Sequence, residues 1–567
     1  LADSREFYKT SGFGGRTIGF LEQNVGNIRG MLWLVQAGVA AALLIGCANV
    51  ASLLLARAMA RERELAIRAA LGAGRGRLMQ LLLTESLLLF LAGGGLGLFV
   101  AWWGVDAFGA LGLSTLPRAY GVQLDFSVFA FTLFCALLTG LAFGALPAWS
   151  ASRGDAAAAL KEAGTRGSAG KRTTFLRAAL VIGEIALAVM LLSTAGLLVR
   201  SFEKLQQENP GFMPGGVITA RLSLPNAKYD QPAKRIAFAD AALARLRSLP
   251  GVTAAGLTDV LPFTGNNSSG SYKMPEVVLP AGAPLPHGQQ RSVDPGYFKA
   301  MGLTLLRGRL FTAADTAGTQ KVVIIDRVLA DRYWPGQDPL GKSIIRGGSE
   351  DNAATWTIVG VVAPVKVQGL DEEVKKETIY YPFAQATRTD LFLVIKTAGD
   401  PTALASAVRE TVRSADPEQP VFDVKTMQQR MDEVAQSRKA PMVLLSLFSG
   451  VALLLAVLGV YGVLAFSVTQ RTSEFGVRIA LGASPGDIAT LVLRQGARLV
   501  AIGIGAGLVA YLALSSIVGK LLYGVAATDP ATLALAPIVL ALAAMAACLL
   551  PVRKAVRVNP LEALRTE

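Results

Sequence analysis

Residues 61–73 read Arg-Glu-Arg-Glu-Leu-Ala-Ile-Arg-Ala-Ala-Leu-Gly-Ala, and residues 471–483 read Arg-Thr-Ser-Glu-Phe-Gly-Val-Arg-Ile-Ala-Leu-Gly-Ala. The stretches are 410 positions apart, and Arg61/Arg471, Glu64/Glu474, Arg68/Arg478, Leu71/Leu481 and Gly72/Gly482 coincide. In each, a Glu stands four residues before an Arg, the favourable orientation for a helical ion pair. Leu65, Ile67 and Leu71 in one copy, and Phe475, Val477 and Leu481 in the other, supply apolar contacts. The glycine suits a left-handed helix stop. The pattern predicts a short, capped amphipathic helix, written twice.

The repeat extends outward. Gly93, Gly95 and Gly97 meet Gly503, Gly505 and Gly507 in the same register, and at an offset of 404 Pro147, Arg153 and Leu160 meet Pro551, Arg557 and Leu564. Repeated membrane units are a transporter signature, because two halves can rock about a shared interface. A single such helix would be read as lying on anionic headgroups. Its recurrence at equivalent positions favours a helix that docks into a cytoplasmic partner.

The rest of the chain agrees with a membrane setting. Of 567 residues, 52% are hydrophobic and 17% charged, and the mean hydropathy is +0.45. That excludes a disordered chain, a coiled coil and an ordinary soluble enzyme. A bilayer core needs about twenty apolar residues in helical form. Seven stretches qualify: Met31–Ala56, Leu78–Gly104, Phe126–Trp149, Phe175–Val199, Met442–Ser467, Ile488–Ile517 and Thr532–Leu550. The net charge of +14 lies mainly at their ends and implies no nucleic-acid partner. Segments 57–77 and 150–177 hold six Lys/Arg each, 471–494 three and 553–567 four. The short loops 105–124 and 516–531 hold one each, Arg118 and Lys520. The positive-inside bias then makes the first group cytoplasmic and puts 1–30, 105–124, 200–440 and 516–531 outside.

Residues 202–440 are polar and long enough for their own core. Val217–Leu224, Lys321–Asp326, Trp356–Val362 and Leu391–Lys396 read as strands. Pro232–Leu249 reads as an amphipathic helix, and Pro401–Ser414 as another, opened by Asp400 and Pro401. The mixture predicts an α+β extracytoplasmic domain of two small lobes.

Glu-[Leu/Phe]-x-[Ile/Val]-Arg-x-Ala-Leu-Gly-Ala followed by a Gly-rich span resembles the FtsX-like permease unit of MacB-type ABC transporters. Asp294-Pro-Gly-Tyr-Phe-Lys-Ala-Met-Gly-Leu-Thr-Leu-Leu-Arg-Gly-Arg-Leu-Phe311 and Tyr333-Trp-Pro-Gly-Gln-Asp-Pro-Leu-Gly-Lys342 resemble the MacB-like periplasmic core domain. The duplicated arrangement resembles permeases of acidobacterial type. The resemblance implies an α-helical integral membrane protein of the bacterial inner membrane, with two FtsX-like units and an α+β periplasmic domain. It implies a separate cytoplasmic ABC ATPase that binds the ATP, a possible periplasmic adaptor as a further partner, and the helices at 61–73 and 471–483 as coupling elements. Efflux, substrate extraction and a non-transporting regulatory role all remain open.

The domains expected are a tail of an extracytoplasmic domain at 1–30, a first unit of three spans at 31–160, the first helix of the second unit at 175–200, the extracytoplasmic domain at 201–440 and the remaining three spans at 441–567. The resemblance implies four helices per unit. Residues 1–30 resemble the approach to the span at 442, with Arg29 and Lys439 equivalent. This gives the expectation of a missing first helix and first extracytoplasmic domain upstream of Leu1.

Other sites are weaker. Gly336-Gln-Asp-Pro-Leu-Gly-Lys-Ser343 fits a P-loop pattern, but a helix is expected before it and β structure after it, the reverse of the phosphate-binding context. Cys47, Cys135 and Cys548 lie in apolar runs, and His287 is the one histidine, expected in an exposed loop. No metal or cofactor site and no enzyme nucleophile–base pair is read. Glu85 and Glu184 lie inside apolar spans, with Gln495 equivalent to Glu85. Intramembrane carboxylates are functional candidates by default, and interhelical hydrogen bonding is the competing role.

The topology is testable by labelling. Single cysteines introduced at Ser168 and Ser269 are expected to react with an impermeant thiol reagent from opposite sides of the membrane; same-side labelling refutes the orientation.

Overall fold

The computed structural model describes residues 19, 22, 29–61, 64, 67–68, 71, 73–110, 124–152, 169–278, 280, 283, 285–347 and 354–557. In chain order the elements are helices α1 (Arg29–Ala60), α2 (Arg75–Ala110), α3 (Phe126–Ser152) and α4 (Ala169–Gln206), then β1 (Val217–Ser223), α5 (Pro232–Arg247), β2 (Val252–Thr258), β3 (Ser269–Lys273) and β4 (His287–Val293). There follow α6 (Pro295–Met301), β5 (Leu305–Gly308), β6 (Val322–Asp326), α7 (Arg327–Tyr333), β7 (Ser343–Arg346), β8 (Thr355–Val362), β9 (Thr378–Pro382) and β10 (Asp390–Thr397). The chain ends with α8 (Ala405–Ala415), β11 (Phe422–Thr426), α9 (Met427–Gln470), α10 (Thr472–Ala480), α11 (Pro485–Gly519) and α12 (Pro530–Val556). Two compact units result. One contains Leu205–Gln436, the other Asn24–Lys204 with Ser437–Glu567.

The second of these is helical. Among the described residues six helices are long and apolar enough to cross a bilayer, in α1, α2, α4, α9, α11 and α12, and α3 adds the apolar stretch Phe126–Ala142. Helix is the form a bilayer imposes, since a lone segment must satisfy its own backbone there. Starts are encoded locally. Ser484 and Asp487 form a reciprocal capping box at α11, with Pro485 at the first helical position. Asp529 accepts from the Thr532 backbone N–H at the start of α12.

Packing in the second half of the repeat centres on α4. A Cβ at Gly503 would stand 2.6 Å from Ile185 Cβ, and one at Gly507 would stand 2.7 Å from the Ala186 carbonyl and 2.9 Å from Val189 Cβ. The two glycines, four residues apart, let α4 lie on the backbone of α11, the small-residue packing used where lipid provides no hydrophobic drive. Their counterparts Gly93 and Gly97 on α2 are exposed and have nothing within reach of an added Cβ. The same glycine signature is thus engaged in one half and open in the other.

The other unit is an eleven-stranded mixed sheet whose path runs β11-β1-β10-β2-β4-β3-β7-β8-β6-β9, with β5 on β8. It has two cores. Ile218, Leu222, Phe238, Leu243, Leu257, Leu393 and Val408 fill one, under α5 and α8. Tyr272, Val323, Ile325, Leu329, Trp356, Ile358 and Tyr381 fill the other, under α7. The lobes join where β2 meets β4, through a single registered pair, Thr258 and Val293. Next to that pair the Asp294 carboxylate accepts from the backbone N–H of Leu257 at 2.7 Å and of Gly296 at 3.0 Å, and pairs with Arg247 at 2.7 Å.

The expected strands appear as β1, β6, β8 and β10, and the first expected helix as α5. The second divides into a 3₁₀ turn, Pro401–Leu404, and α8, with the Asp400 carboxylate accepting from Thr402 N. His287 opens β4 rather than lying in a loop, with its ring nitrogens 3.0 Å from Ser269 Oγ and 3.4 Å from Ser271 Oγ. Gly72, Arg153 and Leu160, and most of the 1–30 tail, lie outside the described residues.

The open and engaged glycines differ in what they tolerate. Gly507→Leu is expected to lower the melting temperature of the full chain in detergent, by an overpacking cost of about 1–3 kcal/mol. Gly97→Leu should leave it unchanged. Equal effects on thermal unfolding would contradict this packing.

Candidate coupling elements and intramembrane polar sites

The two repeated elements share their geometry as well as their sequence. In the second copy, Glu474 accepts from Arg471 at 2.6 Å and pairs with Arg478 at 2.8 Å, fixing α10 to the end of α9. In the first, Glu64 pairs with Arg68 at 2.7 Å and stands 4.0 Å from Arg61. The hydrogen bond to Arg471 holds the Glu474 carboxyl below its ordinary range and raises the Arg471 guanidinium. The C-terminal turns also match. Leu71 N donates to Ile67 O and Ala73 N to Arg68 O, as Leu481 N does to Val477 O and Ala483 N to Arg478 O. Gly482 takes φ +96°, the left-handed stop its position demands.

Beside their exposed ion pairs the elements present apolar side chains outward. Phe475 is buried beneath α10. Leu71 and Leu481 are each 82% exposed, and Ile67 and Val477 are exposed beside them. The second element is therefore a charge-pinned short helix that holds a leucine outward, and the described residues of the first, Glu64, Arg68 and Leu71, repeat its ion pair and its exposed leucine.

The intramembrane candidates separate into unlike environments. Glu85 is not an unpaired carboxylate within the helices. It pairs with Arg61 at 3.0 Å, tying α2 to the first repeated element, and is 41% exposed. Sequence spacing placed it in an apolar run but could not show Arg61 reaching it across the turn. Gln495 accepts from Ser467 at 3.4 Å, between α11 and α9. Glu184 is 1% exposed, and neither carboxylate oxygen has a hydrogen-bond partner among the described residues. It lies against Gly459 of α9, where a Cβ would collide with its Oε2 and stand 3.0 Å from Asn49 Oδ1 of α1. Asn49 Nδ2 donates to Leu455 O at 2.9 Å. Arg177, also buried, donates to Ser52 O at 2.9 Å and stacks over Phe466 at 3.9 Å. The sequence reading missed Asn49 and Arg177, although the repeat offset that pairs Asn49 with Gly459 was available to it.

The P-loop-like stretch is a turn. It follows α7 and leads into β7, and Gly341 N donates to Ile358 O of β8. Lys342 Nζ donates to Gln337 Oε1 at 3.0 Å and stands 3.7 Å from Glu276. The element it leads into is a strand and not a helix whose N-terminus could hold a phosphate. Among the described residues no group of three or more His, Cys, Asp or Glu could hold a metal ion.

Comparison with known proteins bears on the whole arrangement. The profile of the FtsX-like permease C-terminal family matches residues 37–156 and again 446–560, and that of the MacB-like periplasmic core domain matches 178–411. The chain belongs to the MacB/FtsX-like ABC transporter permeases. It is a multi-pass membrane protein with an extracytoplasmic domain. It is similar to the macrolide export ATP-binding/permease protein MacB of Hahella chejuensis, 26% identical over 300 residues, 49% of this chain and 42% of that protein. It is also similar to MacB 1 of Aeromonas hydrophila, 27% identical over 306 residues, 51% of this chain and 45% of that protein. The chain thus spans less than half the length of these curated relatives. The periplasmic region of MacB from Actinobacillus actinomycetemcomitans aligns at 17% identity with a TM-score of 0.27, covering 40% of this chain and 95% of that one. The extracellular domain of the Gram-positive transporter YknZ aligns at 16% and 0.25, covering 36% of this chain and all of that one.

Because Lys342 is engaged in a turn, Lys342→Ala is expected to leave the nucleotide-binding behaviour of the full chain unchanged. A large loss of nucleotide affinity, measured by calorimetry, would refute that reading.

Proposed function

We propose that this permease takes mechanical work from a separate cytoplasmic ABC ATPase through the elements at 61–73 and 471–483. In this reading it binds no ATP itself and needs no cofactor of its own. It sits in the bacterial inner membrane and drives its extracytoplasmic domain in efflux or substrate extraction, with a periplasmic adaptor as an additional partner.

The observation that supports this is the paired exposure of Leu71 and Leu481 on two elements with the same ion-pair geometry. An apolar side chain held in water by a rigid turn is what a protein socket recognises, since interface anchors are few and buried on binding. A helix pinned at both ends by one glutamate passes displacement on, where a loose loop would absorb it. The positive-inside bias puts both elements on the side where ATP is found.

Val477→Pro removes a backbone donor and clashes one turn back, at a cost of about 3 kcal/mol or more in a helix interior. It should insert normally and lose ATPase co-purification and ATP-driven function, and Ile67→Pro should act alike. Leu481→Glu leaves the helix intact and deletes only the anchor. A hot-spot loss of about 2 kcal/mol predicts roughly 30-fold weaker ATPase binding. If all three variants, singly and together, retain partner binding and activity, these are headgroup helices and the coupling role is wrong.

A further inference from the structure

Glu184 occupies a particular place in the helical unit. Asn49 of α1 and Gly459 of α9 are the same position in the two halves of the repeat, 410 residues apart. They face each other, with Asn49 Oδ1 3.0 Å from where a Gly459 Cβ would be. Further along, Gly38 lies against its own counterpart Phe448. Contacts between equivalent residues mark a pseudo-twofold axis between α1 and α9. Glu184, from α4, puts one carboxyl group on that axis. A Cβ at 459 would push that carboxyl aside.

Among the described residues, no ionisable group pairs with the Glu184 carboxyl. On α4 itself the nearest ionisable group is Arg177, two turns away, whose Nη2 donates to Ser52 O and whose guanidinium stacks on the Phe466 ring, while its Nε and Nη1 are unpartnered among the described residues. On α1, Cys47 is buried. On α9 the nearest ionisable group is Tyr461, which is 39% exposed. At its contact with α4, α11 presents Gly503 and Gly507. Both carboxylate oxygens are unpartnered among the described residues. An ionised carboxylate enclosed in this way is among the most expensive arrangements a membrane protein can hold.

We propose that Glu184 is a proton-binding site on the pseudo-twofold axis, and that its occupancy holds the two halves of the permease together. The proton comes from the aqueous phase and forms an O–H bond on one carboxyl oxygen. Asn49 Oδ1 is the acceptor for that O–H, because Asn49 Nδ2 is already committed to Leu455 O. Releasing the proton leaves a carboxylate that must be hydrated, and water reaches it only when α1 and α9 part. Proton release and separation of the halves are therefore one linked equilibrium. The site stands independently of the ATPase assignment.

Infrared spectroscopy of the full chain in lipid nanodiscs tests this directly. Wild type at neutral pH should show a carboxylic-acid C=O band that shifts in D₂O, disappears in Glu184→Gln and persists in Glu85→Gln. Raising the pH should lower the wild-type melting temperature more steeply than that of Glu184→Gln, which mimics the protonated group and should be as stable at neutral pH. The proposal is overturned if Glu184→Gln keeps the acid band, or loses a carboxylate band in its place. It is equally overturned if that variant melts lower at neutral pH with an unchanged pH slope, as loss of an ionised, paired group would give. Should Glu184→Gln fail to accumulate, Asn49→Ala decides: loss of the acceptor shifts the acid band to higher frequency, and an unshifted band refutes the site.

Discussion

Helix α4 rests on the bare backbone of α11 at Gly503 and Gly507, and much of the second half of the repeat follows from that contact. In a bilayer, apolar side chains gain little by leaving lipid for protein, so association depends on close approach. Two glycines one turn apart provide it. With α4 seated there, Val181, Ile185, Ala188 and Val189 enter a common core with Ala452, Ala456 and Val460 of α9 and Leu540 and Ala544 of α12. Seating α4 also presents Glu184 to α9. Close packing and an enclosed carboxyl are thus consequences of one arrangement. The enclosure that gives the helices their contact also removes the water a charge would need.

The halves use a shared sequence plan in different ways. The amphipathic element keeps its ion pairs, its terminal hydrogen bonds and its exposed leucine in both copies. The glycine face on the following helix does not keep its use, being filled at α11 and open at α2. Arg61 turns to Glu85 in the first copy, whereas the residue equivalent to Glu85 is Gln495, which takes a hydroxyl donor instead. A carboxylate in the first copy calls for a cation, and an amide in the second does not. Among the described residues, the first element is tethered to its transmembrane helix by the Arg61–Glu85 pair, and the second packs inward through Phe475.

Much of this was legible in sequence because membrane helices advertise themselves by length, and because a repeat converts a weak motif into a strong one. The amphipathic elements, the glycine periodicity and the long apolar runs are local patterns. The strands rich in Val and Ile, β6 and β8, were equally plain. The strands β3 and β4 were not, since Ser-Gly-Ser-Tyr-Lys and His-Gly-Gln-Gln-Arg-Ser-Val read as loop. Gln289, Gln290, Arg291 and Ser292 are all buried, and what permits this is a set of long-range partners such as Arg346 on Gln290 and Asp259 on Ser292. No local pattern encodes partners that distant. For the same reason Glu184 was found as a residue, while Asn49 and Gly459 were not recognised as its enclosure. Their meeting depends on how two helices cross, which spacing along either one does not reveal.

The joint between the two lobes of the extracytoplasmic sheet sets how load passes across it. A continuous ladder would share a pull or twist over many parallel bonds. Here the ladder narrows to the Thr258–Val293 pair, flanked by Asp259 N donating to Ser292 O and Asp294 N donating to Leu257 O, and the Asp294 carboxylate adds a bond from Leu257 N while capping its own helix at Gly296 N. Mechanically the eleven strands behave as two plates and a rivet. Load passing from one plate to the other is carried by that short set of bonds, with α6 packed against β2 beside it, rather than by a long ladder.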